Sequence, residues 1–424
     1  MAAGPIPIEE IPVSTEPTAT SIGDAAYRHA QRAELLRFAA ASERPDGFGN
    51  LDAKGLLEAD TPTELYVTCR MTHVFALASV LDEKPAEGGP SRERLIELAT
   101  HGIEALRNGP LHDEVNGGWH SAASGPRAKQ GYGHSFVLLA ASSGVVAGID
   151  GAEELLADAM AVHTSRFLQA DTGLVVDDWN ADWSVLDPYR GVNSNMHTVE
   201  AYLAVGDATG DAVWHERAAR IALQVRDWAA ANQWRIPEHF DQDWQPLLEY
   251  NRDEPAHPFR PYGATVGHGL EWSRLFVSVD LAHPTPGLVE AAIELADRAL
   301  ADGWARDGAD GFVYTTDWEG NPVTPARMHW VLAEAIATGA VLHLVTGEQR
   351  FSDLVQRSWE YADRYLIDRE YGSWHHELDS NNVPSGGTWP GKPDAYHAWQ
   401  AAVIEDLGLS TSFASGVAQA RPVD

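Results

Sequence analysis

The most definite chemical spacing lies in HPFRPYGATVGHGLEWSRL, residues 257–275. His268, Glu271 and Trp272 fall at i, i+3 and i+4, which puts an imidazole, a carboxyl and an indole on one side of a helix. Arg260 lies in the loop just before. Gly267 and Gly269 flank the histidine, where the missing Cβ atoms allow a ligand to approach the backbone closely. A second histidine, His397, lies within about a turn of a Pro/Asp helix start in WPGKPDAYHAWQA, residues 389–401. Taken singly, each motif also reads as an ordinary helix start, with Trp272 a core aromatic and His397 a structural histidine. Two histidines at equivalent places on converging helices point to proton transfer. Imidazole has the intrinsic pKa for it near neutral pH, and a helix N-terminus disfavours the imidazolium and keeps the ring a neutral base.

Other polar side chains lie on apolar segments. Asn193 and His197, four apart in YRGVNSNMHTVEAY, suit hydroxyl binding, with Asn193 as a simple helix cap the alternative. Tyr66 and Arg70 are four apart in LYVTCRMTHVF. An arginine on an apolar helix is costly unless it is paired or faces a polar cavity, so Arg70 is assigned to a site. Tyr132 with His134, and Trp330 with Glu334, read equally well as packing. Phosphate-binding, dinucleotide-binding and Gly-x-Ser-x-Gly signatures are missing from the sequence. His375, His376 and Glu377 match no standard metal spacing, so no metal is expected. Asp177 and Asp178 are adjacent, so their side chains point apart, and they read as a solvated loop.

The elements that must position these residues form a repeat. Charged amphipathic helices (91–107, 212–233 and 349–370) alternate with nearly uncharged ones (71–81, 132–146 and 195–205). Each uncharged helix carries a histidine near its start: His73, His134, His197, His268, His329 and His397, spaced 61 to 71 residues apart. Links from uncharged to charged helix are short, and links back are long and rich in Gly, Trp and Asp. With a first charged helix at about 24–42, six hairpins result, and an (α/α)6 barrel is expected. Inner helix axes about 8–10 Å from the centre leave a cavity the size of one monosaccharide, opening where the long loops gather. Residues 1–23 are expected as a flexible arm, 24–408 as the barrel and 409–424 as a frayed tail.

Composition narrows the function. The chain of 424 residues has 44% hydrophobic residues, enough for a globular core. With Lys+Arg 30 and Asp+Glu 62, its net charge of −32 disfavours nucleic acid and anionic membrane. One cysteine, Cys69, excludes an intramolecular disulfide and fits a reducing cytoplasm. Neither a secretory signal nor a membrane-length apolar run is expected.

RGVNSNMHTVEAYLAVGDATGD and VGHGLEWSRL resemble the two most recognisable blocks of the N-acylglucosamine 2-epimerase superfamily, and the resemblance runs through roughly residues 25–407. GKPDAYHAWQA, HPFRPYGATVGHGLEW and RMHWVLAEAI are most similar to its aldose–ketose isomerase branch, which acts on mannose or sulfoquinovose. The resemblance implies a barrel free of metal and cofactor, acting on a free reducing sugar, with His268 and His397 as the catalytic pair. It implies sugar contacts from Arg70, Tyr132, Asn193, His197, Arg260, Glu271, Trp330 and Trp389; Tyr66 stands where the superfamily often has Trp. The implied reaction interconverts D-mannose and D-fructose through an enediolate, with His397 moving the proton between C2 and C1. His268 would assist ring opening, Glu271 would orient His268, and Arg260 with the helix N-termini would stabilise the enediolate. The alternatives are a sugar 2-epimerase, a sulfoquinovose isomerase, a glycoside hydrolase and a non-enzymatic sugar-binding toroid. A hydrolase needs two opposed carboxylates, and Glu271 is the one inward candidate on a strong motif. The expected partner is a monosaccharide, with a homo-oligomer possible.

Overall fold

Inner helices that are apolar all round can be buried on every side, whereas outer helices need one wet face, and these two demands set the architecture. The computed structural model describes residues 21–125 and 127–420, so residues 1–20 of the expected arm lie outside the described residues. Outer and inner helices alternate along the chain, each inner helix packing on the outer helix that follows it and α12 on α1: α1 (Ala25–Ala39) then α2 (Leu65–Leu81), α3 (Arg92–Asn108) then α4 (Gly131–Ala147), and α5 (Ala152–Arg166) then α6 (Val192–Thr209). Next come α7 (Val213–Ala231) then α8 (Val266–Ala282), α9 (Leu288–Gly303) then α10 (His329–Thr346), and α11 (Gln349–Tyr361) then α12 (Tyr396–Leu407). The even-numbered helices pack side by side in that order, and α12 returns to α2 and closes the ring. The chain is thus an (α/α)6 barrel. Almost every residue of α2, α6 and α8 is buried.

Local chemistry sets the helix ends. Asp24 accepts the Tyr27 N–H at 2.8 Å and Ser91 the Arg94 N–H at 3.3 Å, each satisfying a free donor of the first turn. Gly210 and Gly347 end α6 and α10 in the left-handed region, with φ of 72° and 71°, which lets the chain turn at once into the next outer helix. One inner helix, α10, is long and apolar enough to cross a membrane. It lies mostly buried inside the barrel, with Glu334 in its second turn held by Arg274.

The long loops are ordered by a collar of two-residue antiparallel ladders around the mouth. Lys129–Gln130 pairs with Asp178–Trp179, Arg190–Gly191 with His239–Phe240, Ala264–Thr265 with Thr315–Thr316, and Arg327–Met328 with Glu377–Leu378. The first strand of each pair leads directly into an inner helix, so each of α4, α6, α8 and α10 has its start pinned to the loop of the next repeat. The Lys392 N–H donates to the Leu51 carbonyl at 2.9 Å and ties the last loop to the first.

The tail expected to fray at 409–424 is instead helical at its described end. α13 (Phe413–Ala420) packs on α2, α4, α6 and α12 and covers the barrel end opposite the mouth. Phe413 and Val417 are buried there, and Asp207 accepts the hydroxyls of Thr411 and Ser412, each at 2.6 Å. Its eight residues are too few for a helix stable alone, and it is packing on the barrel floor that makes the segment a helix. Phe413→Ala should lower unfolding free energy by about 3 kcal/mol, the usual cost of emptying a buried Phe site. Urea titration measures it, and an unchanged midpoint would show that α13 does not cover the floor.

Candidate active site

The inner-helix starts converge on a cavity of about 680 Å³ including its open mouth. Its wall carries Tyr66 and Arg70 from α2, Tyr132 from α4, Asn193 and His197 from α6, and His268 and Glu271 from α8. Trp330 of α10, Trp389 of the last loop and His397 of α12 complete it. The structure therefore brings every expected site residue together except Arg260.

His268 is the third residue of α8, and its Nδ1 lies 2.8 Å from Glu238 Oε2. The expected orienting group was Glu271; the structure gives that place to Glu238, 30 residues upstream in the loop after α7. Glu238 is buried, and its other oxygen accepts the Thr265 N–H at 3.3 Å. His397 is the second residue of α12 and meets Glu334 Oε1 through Nδ1 at 3.1 Å. Glu334 Oε2 accepts Arg274 Nε at 3.1 Å. A carboxylate at Nδ1 holds the proton on that nitrogen, which leaves the Nε2 lone pair for the cavity. Burial, then Arg70 and His329, holds His397 well below the ordinary imidazole range, so the ring is a neutral base. Trp330 lies against both rings, with centroids 5.4 Å from His268 and 5.8 Å from His397. Its indole explains Gly267: a Cβ there would sit 2.2 Å from Trp330 Cζ3, so the glycine makes room for Trp330 rather than for a ligand.

Arg70 answers the question its position raised. It donates to Asp394 at 3.1 Å and to the Tyr132 hydroxyl at 3.0 Å, with its guanidinium 4.7 Å from the Phe136 ring and 4.8 Å from the Tyr396 ring. Burial alone would raise the Asp394 carboxyl, but Arg70, His397 and His329 outweigh it and keep the group below the usual carboxylate range. Asn193 does not cap α6, where Gly191 is the N-cap; Asn195 holds the neighbouring loop by bonding both the N–H and the carbonyl of Val175. Burial lowers His197 to about 4, and its ring packs on Phe136 at 4.7 Å.

Arg260 is displaced from its expected role. It lines an outer vestibule, donates to Asp178 at 2.9 Å and lies 3.9 Å over the Tyr189 ring, away from the two histidines. Asp177, expected in a solvated loop, is buried and accepts Gly191 N–H and Ser194 Oγ at 2.7 and 2.6 Å. The His375–Glu377 run is used otherwise than as ligands. His376 stacks 3.8 Å from His329 on the cavity wall, and Glu377 accepts the N–H groups of Gly387, Thr388 and Trp389 at 2.7–3.0 Å. Glu377 thereby holds the loop that presents Trp389.

Carboxylates are more numerous inside than the sequence motif indicated. Below the cavity floor Glu200, Glu271 and Glu334 surround Arg274 at 4.0, 3.8 and 3.1 Å. His197, Glu200 and Glu271 have donor atoms within 4.8 Å of one another, which is ligand-like spacing. Arg274 already places a guanidinium 4.0 Å from Glu200 and 3.8 Å from Glu271, and a divalent ion beside it would be repelled, so the set does not fit one. Burial, then the nearby Glu334, pushes Glu271 well above the usual carboxylate range. Burial also opposes ionisation of Glu200, but His197, Arg274 and Tyr396 overcome it and hold that group below the range. Burial and Glu334 thus favour the protonated form of Glu271, in which it can donate a hydrogen bond. Glu238 carried no signal in the sequence, and Glu334 stood out only beside Trp330, because the histidines they meet lie 30 and 63 residues away.

Replacing either partner tests the arrangement. Glu238→Gln or Glu334→Gln removes the charge that holds the proton on Nδ1 and steadies an imidazolium. Turnover should fall by about 100-fold or more, as wrong-tautomer changes do elsewhere. The melting temperature reports whether folding is retained, and unchanged kcat would show that the carboxylate does not serve its histidine.

Known proteins bear on this geometry. The family described as N-acylglucosamine 2-epimerase (GlcNAc 2-epimerase) matches residues 47–401. D-mannose isomerase of Thermobifida fusca is 48% identical over 403 residues, spanning 93% of this chain and 97% of that protein. D-mannose isomerase of Pseudomonas cannabina pv. alisalensis is 46% identical over 394 residues, spanning 91% and 93%. A crystal structure of a D-mannose isomerase superposes with a TM-score of 0.83 at 25% identity, over 92% of this chain and 99% of that one.

Proposed function

The chain belongs to the N-acylglucosamine 2-epimerase family, and on that premise we propose that it is an aldose–ketose isomerase interconverting D-mannose and D-fructose. The observation that carries the reading is the pair of histidines, each tied through Nδ1 to a buried carboxylate, on the wall of one monosaccharide-sized cavity. The relatives at 46% and 48% identity, both D-mannose isomerases, support the choice of sugar.

The chemistry follows from the substrate. Once the pyranose ring opens, the C1 aldehyde acidifies the C2–H bond. Nε2 of His397 takes the C2 proton, and the electron pair moves into a C1–C2 double bond as O1 becomes an enediolate oxygen. Glu334 steadies the imidazolium that forms. Return of the same proton from His397 to C1 gives the ketose, with a proton moved from O2 to O1. His268, held by Glu238, serves ring opening by moving a proton between O1 and O5 and then serves the O1/O2 exchange. With Arg260 turned outward, the groups available to the enediolate are Arg70, the neutral acid Glu271 and the N-termini of α8 and α12. Arg70 is already paired with Asp394, which suits a neutral sugar better than one carrying a sulfonate. No step calls for a metal.

Proton NMR of D-mannose in D2O tests the assignment. His397→Asn should abolish fructose formation and loss of the C2–H signal together. His268→Asn should slow turnover of the cyclic sugar while leaving a smaller defect on an aldose that cannot close its ring. Chelation with excess EDTA should leave the wild-type rate unchanged. Wild-type exchange in His397→Asn would move the base to another residue, and a rate restored by one divalent ion would overturn the metal-free step.

The pH profile gives a separate check. Because burial lowers His397, its neutral form persists to pH values well under the ordinary imidazole value of about 6.5. The acid limb of kcat/KM should therefore lie below that value. A limb at or above it would show that the base is not this buried ring.

A further inference from the structure

The barrel floor, opposite the mouth, holds a second space of about 430 Å³ including its opening. It lies between the inner helices and the segment that leads into α13. Leu203, Leu275, Val341, Ile404 and Phe413 make its wall largely apolar, yet Arg274 reaches it from the charge cluster. Neither Arg274 nor Phe413 lines the cavity of the two histidines, so a sugar bound there touches neither.

Arg274 sits among three carboxyl groups but is bonded to one of them. Among the described residues its hydrogen-bond partner is Glu334, whose Oε2 accepts from Nε at 3.1 Å. Nη2 stands 3.8 Å from Glu271 and 4.0 Å from Glu200, beyond hydrogen-bond reach. The guanidinium also lies over the Phe413 ring, with Cζ 5.3 Å from its centroid. Phe413 is the first residue of α13, and its place is fixed by short bonds. The Ser412 and Ser415 N–H groups each donate to the other's hydroxyl, at 3.2 and 3.1 Å, and Asp207 anchors the same turn. Because Arg274 and Phe413 share the wall of the floor space, removing the ring leaves the guanidinium room to turn from Glu334.

We infer that α13 positions the base from the far end of the barrel: Phe413 holds Arg274 against Glu334, and Glu334 so held orients His397. Each link is a direct contact, running from ring to guanidinium to carboxylate to imidazole. This rests on reading His397 as the group that moves the C2 proton. Phe413 and Arg274 are positioning residues and act on kcat, leaving KM alone. The pH dependence has a definite sign. Glu334 faces Arg274 and Glu271 from α8, Glu200 and His197 from α6, and His397 from α12; around His397 stand Arg70, His329 and Asp394. Burial raises the Glu334 carboxyl, and Arg274 is foremost in opposing it. With the guanidinium turned away, the Glu334–His397 pair takes up a proton more readily, and the acid limb of kcat moves to higher pH.

Three variants of the full chain test this. Phe413→Leu keeps an apolar side chain and removes the ring face. Phe413→Tyr keeps the face. Val417→Ala empties part of a buried site one turn further along α13, away from the floor space. Phe413→Leu should lower kcat for mannose about fivefold, the equivalent of about 1 kcal/mol for one cation–ring contact, with KM within about twofold of wild type and the acid limb displaced upward. Phe413→Tyr should retain wild-type kcat and acid limb. Val417→Ala should lower the melting temperature and leave both kinetic readouts unchanged. Wild-type kcat in Phe413→Leu, an equal loss in Phe413→Tyr, or the same kinetic loss in Val417→Ala would overturn the inference. If the wild-type protein does not turn over mannose, the reading of the reaction fails, and nitrogen NMR of the histidine rings decides the positioning separately, with His397 assigned through His397→Asn. A His397 titration moved upward by Phe413→Leu and unmoved by Val417→Ala supports it; one unmoved by Phe413→Leu, or moved alike by both, overturns it.

Discussion

Ionised groups near the axis of a closed helical ring must find partners inside it, and the Glu334 carboxylate shows how this barrel meets that demand. One oxygen faces His397 and the other faces Arg274, so a single side chain joins the cavity wall to the charge cluster beneath it. Removing one member of such a set leaves the rest buried and uncompensated, which costs more than the pair itself contributes. Arg274 must in turn balance Glu200 and Glu271. One guanidinium sits among three buried carboxyl groups, and burial with the nearby Glu334 favours the protonated form of Glu271. The state of this cavity residue therefore depends on the charges beneath it.

The same constraint acts at the ring closure. α2 and the loop before α12 meet through Arg70 and Asp394, 324 residues apart. Asp394 also accepts the Tyr396 N–H at 2.9 Å and so steadies the start of the helix that carries His397. Barrel closure and the placement of His397 thus share one ion pair, and Tyr132 and Tyr396 flank its guanidinium.

Around the mouth, backbone pairing does what side-chain charge does on the axis. Each two-residue ladder is too short to be stable alone, but it precedes a buried inner helix and is paired with the loop of the next repeat. Error in one helix start is thus limited by its neighbour. Glu377 extends the arrangement by gathering three successive N–H groups beneath Trp389. The collar fixes the starts of the helices that carry the cavity residues, while the outer parts of the same loops form the vestibule.

Much of this was legible in the chain itself. Alternation of charged with uncharged helices and the recurring histidine define a six-hairpin barrel, because burial on one face or on all faces leaves a direct mark on composition. Spacings of four on a helix placed Tyr66 with Arg70 and Asn193 with His197 on the cavity, since residues i and i+4 share a face whatever surrounds them. Tertiary structure alone decided which partner each of the two cavity histidines receives. Glu238 and Glu334 reach His268 and His397 from 30 and 63 residues away, whereas Glu271, the neighbour on the same helix, turns to Arg274. It also sent Arg260 outward to Asp178 and folded α13 onto the barrel floor. The physical reason is common to all of these. Helical periodicity is local and written in the order of residues, but the direction of a loop side chain depends on which distant loop its backbone pairs with. A short helix of small residues forms only when a surface is present to bury it.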